Sequence, residues 1–148
     1  MDKAKTVFDA LASAGFKVAI DDFGIGQASL QHLAELNVTG IKIDRTFVAR
    51  MASSRRYRIM VETILALGQA LDLSVVAEGI ETLEQLRALQ DLGCKRGQGY
   101  LLSRPLLPEA VEAVFGPALL GRWDPTLVPQ LSAASRSGRS VRNGSPCD

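Results

Sequence analysis

Apolar positions along this chain alternate between a helical and an extended rhythm. Val7, Leu11 and Ala14 fall at helical spacing over residues 2–14, and Gly15 stands where a C-terminal turn is expected. Phe16–Ile20 is a compact apolar run that ends in Asp21 and Asp22, which predicts a short buried strand. Leu30, Leu33 and Leu36 mark a second helix that stops near Asn37, and residues 40–44 (GIKID) read as a second strand. Residues 55–71 predict the longest helix, with Met60, Ile64, Leu67 and Leu71 along one face. Residues 74–78 (SVVAE) form a third predicted strand. Thr82 and Gln85 are spaced as a capping box for a helix whose Leu83, Leu86 and Leu89 point inward, with Gly93 at its end. Residues 97–102 (GQGYLL) predict a fourth strand, and Pro105 and Pro108 precede a short helix around 109–115.

A helix followed by four strand–helix units implies parallel pairing with right-handed crossovers. The strands are short and apolar throughout, as expected of strands buried on both faces. Two architectures fit: an open doubly wound sheet, or four units of an eight-fold (β/α) barrel. The polar residues favour the barrel. Each predicted strand carries a chemically capable group within or at the end of its apolar run: Asp21 and Asp22, then Lys42 and Asp44, then Glu78, then Gln98. A barrel builds its site from the carboxyl ends of successive strands, whereas an open sheet gathers its ligand at one switch point.

Adjacent carboxylates suit hard divalent cations, which take oxygen ligands. A pair of such cations can activate water and stabilise both oxygens of a phosphodiester displacement. A nearby lysine can steer that water or offset phosphate charge. The plain readings are an Asp-Asp helix cap and a lysine in an ordinary ion pair. Glu78, followed by Gly79 in an apolar strand, fits a plain reading least. His32 is the one histidine and lies on a helix surface pattern, so it is not expected to bind metal.

Composition narrows the class. With 148 residues, 47% of them hydrophobic, the chain can bury a core of one modest domain. The formal net charge of +1 gives no electrostatic call for a nucleic-acid polymer. No apolar run is long enough to span a membrane, no leader-like segment opens the chain, and a cytoplasmic protein is expected. Cys94 and Cys147 have no close partners and are expected to be free thiols. Residues 117–148 are rich in Ser, Gly and Arg, with Arg122, Arg136, Arg139 and Arg142 against Asp124 and Asp148; a disordered tail is expected there.

Four segments carry a family resemblance. Residues 18–30 (VAIDDFGIGQASL) resemble DDFGTGYSSL, residues 40–48 (GIKIDRTFV) resemble KIDRSFV, residues 75–82 (VVAEGIET) resemble AEGVET, and residues 97–106 (GQGYLLSRPL) are similar to QGYLFSRPL. In this order they resemble the EAL-domain phosphodiesterases, which hydrolyse cyclic di-GMP to pGpG with Mg²⁺ or Mn²⁺ in a TIM-like barrel. The resemblance covers roughly residues 3–116, and implies a domain of residues 1–116 that is the C-terminal half of such a barrel. It implies metal ligation by Asp21 and Asp22. It implies that Lys42 contacts the nucleophilic water or the phosphate, that Glu78 acts near that water, and that Gln98 holds water or a metal-linked network. Glu81 and Asp44 would support the substrate side. Phe23, Gly24 and Gly26 would begin the loop that couples the metal site to dimerisation.

The sequence also departs from the pattern. The family's Glu-Ala-Leu run lies upstream of these segments and does not occur here, nor do the asparagine and glutamate of the next two metal-binding strands. Ile25, Gln27 and Ala28 replace the usual Thr, Tyr and Ser, and Leu102 replaces Phe. The expectation is therefore a half barrel that is inactive alone, with open sheet edges and interior side chains facing solvent, prone to self-association or dimerisation. The alternative is a non-catalytic module that binds cyclic di-GMP or a protein.

Overall fold

A computed structural model describes residues 2–25, 30–107 and 110. The elements run α1 (Asp2–Ser13), β1 (Ala19–Phe23), α2 (Leu30–Glu35), β2 (Gly40–Ile43), α3 (Arg45–Met51), α4 (Arg55–Ala70), β3 (Ser74–Ala77) and α5 (Leu83–Asp91). The three strands form one parallel sheet in the order β1-β2-β3. The predicted tail, the helix around 109–115 beyond Ala110, and Gly26, Gln27 and Ala28 lie outside the described residues.

The fourth predicted strand is not formed among the described residues. Only Gly97 joins the sheet, through a single parallel bridge to Ala77. Beyond it the chain turns, with Leu102 N and Ser103 N both donating to Gly99 O at 3.0 and 3.2 Å. β1 also sits further along than Phe16–Ile20. Phe16 is 62% exposed, and the paired strand takes in Asp21 and Asp22 instead. The short helix α3 is a further element. It starts at Asp44, whose carboxylate accepts from Thr46 N at 2.7 Å as an N-cap, so Asp44 belongs to this cap and not to β2.

Residues Ile41, Ile43 and Ala77 are fully buried, so one face of the sheet is covered by helices. Burial of side chains the size of Ile41 and Ile43 contributes about 1.5–3 kcal/mol each. α4 turns Val61, Ile64 and Gly68 to the core, while Met60 and Leu71, expected on that face, are exposed. Gly68 decides this phase: a methyl group there would overlap Val75 Cγ2, so the helix lies against β3 where no side chain intervenes. α3 packs on α4 through Phe47 and Tyr57, whose ring centroids are 5.7 Å apart at 59°. In α5, Leu86 and Leu89 are buried as expected but Leu83 is 44% exposed. The Thr82–Gln85 capping box is present, and such a cap contributes about 1 kcal/mol.

Side chains alternate across a strand, so the other face carries Gly40 and Lys42 of β2 beside Ser74 and Val76 of β3. A methyl group at Gly40 would meet Ala19 Cβ and Ser74 Cβ, each at 3.5 Å, which places those residues on the same side. Arg96 donates to Ser74 Oγ from the next segment. Lys42, Ser74 and Val76 on this face are only half-buried, so its side chains keep some contact with solvent. Among the described residues, β1 has a neighbour on one side only. No helix among the described residues is long and apolar enough to cross a membrane.

Candidate metal centre

The carboxyl ends of the strands gather the predicted polar residues. The register between β1 and β2 shifts between Ile20 and Phe23, and Asp22 takes a left-handed φ of +50°. Such an irregularity re-aims side chains, and an aspartate tolerates the left-handed region better than most residues. Ile25 N closes the following turn on Asp22 O at 3.0 Å. Asp21 Oδ1 accepts from Asp22 N at 3.0 Å and from Lys42 Nζ at 3.0 Å. Lys42 Nζ also pairs with Glu78 Oε1, which in turn accepts from Gln98 Nε2 at 2.8 Å. Four chain segments are thus tied into one line: Asp21, Lys42, Glu78 and Gln98.

Lys42 and Glu78 are the more enclosed members, with side chains 29% and 14% exposed, against 64% for Asp21. The hydrogen bond to Glu78 raises the Lys42 pKa above the usual lysine value; partial burial opposes this, and Asp21 adds to it. Lys42 is therefore charged across the neutral range, and its ion pairs are lost only as pH rises through that raised value. Asp44 is held below the usual aspartate value: burial alone would push it up, and the hydrogen bonds from Thr46, Asp22 and the Arg45 backbone together outweigh burial.

Asp21, Asp22 and Glu78 each offer a carboxylate oxygen, all within 4.8 Å of one another. Three hard oxygen donors at that spacing suit a divalent cation such as Mg²⁺ or Mn²⁺. Of the supporting residues, Glu81 engages through its backbone, its N–H donating to Gln85 Oε1 at 2.8 Å. Phe23 is buried, and Gly24 has a φ of +99° with room for no more than hydrogen, since a methyl would lie 2.7 Å from Phe47 Cζ. Gly26 lies outside the described residues.

The EAL domain family model matches residues 1–105. The chain belongs to the EAL domain family. As an EAL protein it is 46% identical over 92 residues to the cyclic di-GMP phosphodiesterase RocR of Pseudomonas aeruginosa, covering 62% of this chain and 24% of RocR. The EAL domain of Mycobacterium smegmatis DcpA superposes with a TM-score of 0.74 at 39% identity, over 83% of this chain and 54% of that one. A manganese and cyclic di-GMP complex of Klebsiella pneumoniae BlrP1 superposes with a TM-score of 0.67 at 39% identity, over 70% of this chain and 26% of that one. The EAL chain spans between 13% and 24% of the length of such curated relatives as DosP of Escherichia coli and RocR.

Two contacts had no counterpart in the sequence reading. A methyl group at Gly79, which has a φ of +68°, would overlap Arg45 Cβ, and one at Gly99 would overlap the backbone N and O of Ile80. Both glycines flank site residues, Glu78 and Gln98, and their place in the segments at 75–82 and 97–106 is the available signal.

Proposed function

We propose that this chain supplies one flank of the two-metal site of a cyclic di-GMP phosphodiesterase that yields pGpG, and that it is inactive alone. The line of hydrogen bonds from Asp21 through Lys42 and Glu78 to Gln98 carries this reading. Asp21, Asp22 and Glu78 would hold Mg²⁺ or Mn²⁺, the manganese complex of BlrP1 supporting the latter. A bound cation of this kind supplies Lewis acidity toward the phosphodiester and a water acidic enough to attack. The residues of the chain add two roles on their flank. Gln98 fixes one oxygen of Glu78, leaving the other for a ligand or a proton. Lys42 keeps a positive charge beside the carboxylates, where it offsets phosphate charge. The donor set supports inactivity alone, because among the described residues these carboxylates come from the ends of two strands, β1 and β3.

Product analysis tests both parts. The purified chain with cyclic di-GMP and Mn²⁺ is expected to release no pGpG. A chimera joining the chain to the upstream part of a relative's EAL domain is expected to release it, and to lose that activity with Asp21→Ala. Turnover by the chain alone, abolished by Asp21→Ala, would remove the claim of inactivity. A folded chimera without turnover would remove the phosphodiesterase reading.

Self-association belongs to the same proposal. The open side of β1, with Phe16 62% and Val7 56% exposed nearby in the chain, offers a strand edge to a second copy. Light scattering is expected to find a dimer or larger species, and a monomer at all concentrations would end that part of the reading.

A further inference from the structure

The end of the fold away from the carboxylates carries a groove that the metal centre does not use. α3 packs on both α4 and α5. Where those two helices end, a cavity of about 410 Å³ lies open between them, beside the start of β3. Its floor is apolar, made by Leu73, Val75 and Leu92 with the bare backbone of Gly68. Its rim is charged, with Glu62 and Asp72 on the α4 side and Lys95 past the end of α5. None of these three side chains forms an ion pair among the described residues. Neither helix has a basic residue in its last turn, so the negative ends of two helix dipoles add to the two acids. The groove is thus complementary to a large apolar side chain with a cation on one side of it and an anion on the other.

The chain carries that pattern outside the described residues. Arg122, Trp123 and Asp124 are consecutive, and Trp123 is the only tryptophan. Pro125 follows, which favours an extended backbone at Asp124. Side chains alternate along an extended segment, so a Trp123 turned into the groove leaves Arg122 and Asp124 to reach its rims. Thirteen residues separate Ala110 from Trp123, enough to span up to about 45 Å, against a breadth of about 30 Å for a small domain. We propose that the groove is the seat of this chain's own segment Arg122–Asp124. Trp123 covers Leu73, Val75 and Leu92, Arg122 faces Glu62, Asp72 and the two helix ends, and Asp124 faces Lys95. An aromatic side chain brings about 150–250 Å² of buried area to such a contact. The segment clamps the ends of α4 and α5 over the start of β3, the strand that leads to Glu78.

Fluorescence of the full chain tests the seat, because Trp123 is its one indole. The emission is expected to lie to the blue of the urea-unfolded chain and to resist quenching by acrylamide, at every protein concentration. Ala66→Arg sets a long cation into the groove from an exposed helical position, and is expected to shift the emission to the red and to restore quenching. Lys95→Glu and Asp124→Lys are each expected to do so in part, and the double variant to recover the blue emission. That recovery separates a contact between the two charges from a general loss of structure. Asp124→Lys lies outside the described residues and keeps the test open if Ala66→Arg impairs folding. Emission of the unsubstituted chain like that of the unfolded chain overturns the proposal. A shielded Trp123 that is indifferent to Ala66→Arg, Lys95→Glu and Asp124→Lys lies elsewhere and overturns it too. Shielding lost on dilution would give the groove to the segment of a second copy and overturn docking within one chain.

Discussion

Gly99→Ala is expected to destabilise the chain by about 3 kcal/mol and to free the segment carrying Gln98. The added methyl overlaps the backbone N and O of Ile80, and backbone cannot swing aside as a long side chain can. Overpacking a tight contact costs about 1–3 kcal/mol or more. The contact is also bonded on both sides, Ile80 N to Gln98 O and Leu101 N to Ile80 O, so relief of the overlap breaks hydrogen bonds. Gly93→Ala is the matched control. Its φ of +77° makes alanine strained, but nothing lies within 4 Å of the new methyl, so only the left-handed penalty of about 1–2 kcal/mol applies. Chemical denaturation of both variants should rank Gly99→Ala well below Gly93→Ala. Equal losses would mean that the packing of Gly99 against Ile80 does not hold this segment.

Asp21→Asn and Lys42→Met are expected to separate cation binding from turnover. Asp21 is one of three oxygen donors, and its neutralisation should weaken Mn²⁺ binding to the chain by about tenfold or more. Lys42 is no ligand; its ammonium pairs with two of the same carboxylates, Asp21 and Glu78. A unit charge about 4 Å from a carboxylate interacts with it by about 4 kcal/mol at a surface-like dielectric. Solvent screens the share that falls on exposed Asp21. Removing that competitor should leave Mn²⁺ affinity unchanged or higher. In the chimera, Lys42→Met should nevertheless cut turnover by about a hundredfold. Titration of Mn²⁺ by calorimetry decides the matter: a Lys42→Met chain that loses affinity as Asp21→Asn does would show that Lys42 organises the carboxylates instead of competing for them.

Much of the site was legible because strand ends are marked by polar residues breaking apolar runs, and Asp21, Asp22, Lys42, Glu78 and Gln98 do come together. The errors have physical sources. The apolar run Phe16–Ile20 concealed that pairing with β2, not hydrophobicity, sets the limits of β1, so the strand slid toward Asp21 and Asp22. α3 is faint in the sequence because it has only seven residues, although the Asp44 cap and the spacing of Phe47, Val48 and Met51 mark it. The phase of α4 is hidden in the sequence because Gly68, which has no side chain, belongs to the buried stripe with Val61 and Ile64. The fourth strand was expected from apolar content, and the approach of Gly99 to Ile80 turns the chain away before it can pair.

The small, polar inner side of the sheet bears on how the chain behaves as a colloid. Ala19, Gly40, Lys42, Ser74 and Arg96 leave Val76 as the larger apolar side chain that this side offers a stray chain. Unwanted clumping would therefore start at the open edge of β1 or at exposed apolar side chains such as Phe16 and Val7. β1 emerges from the ribosome before β2, the strand it pairs with, so that margin is also the part of the sheet left waiting during synthesis.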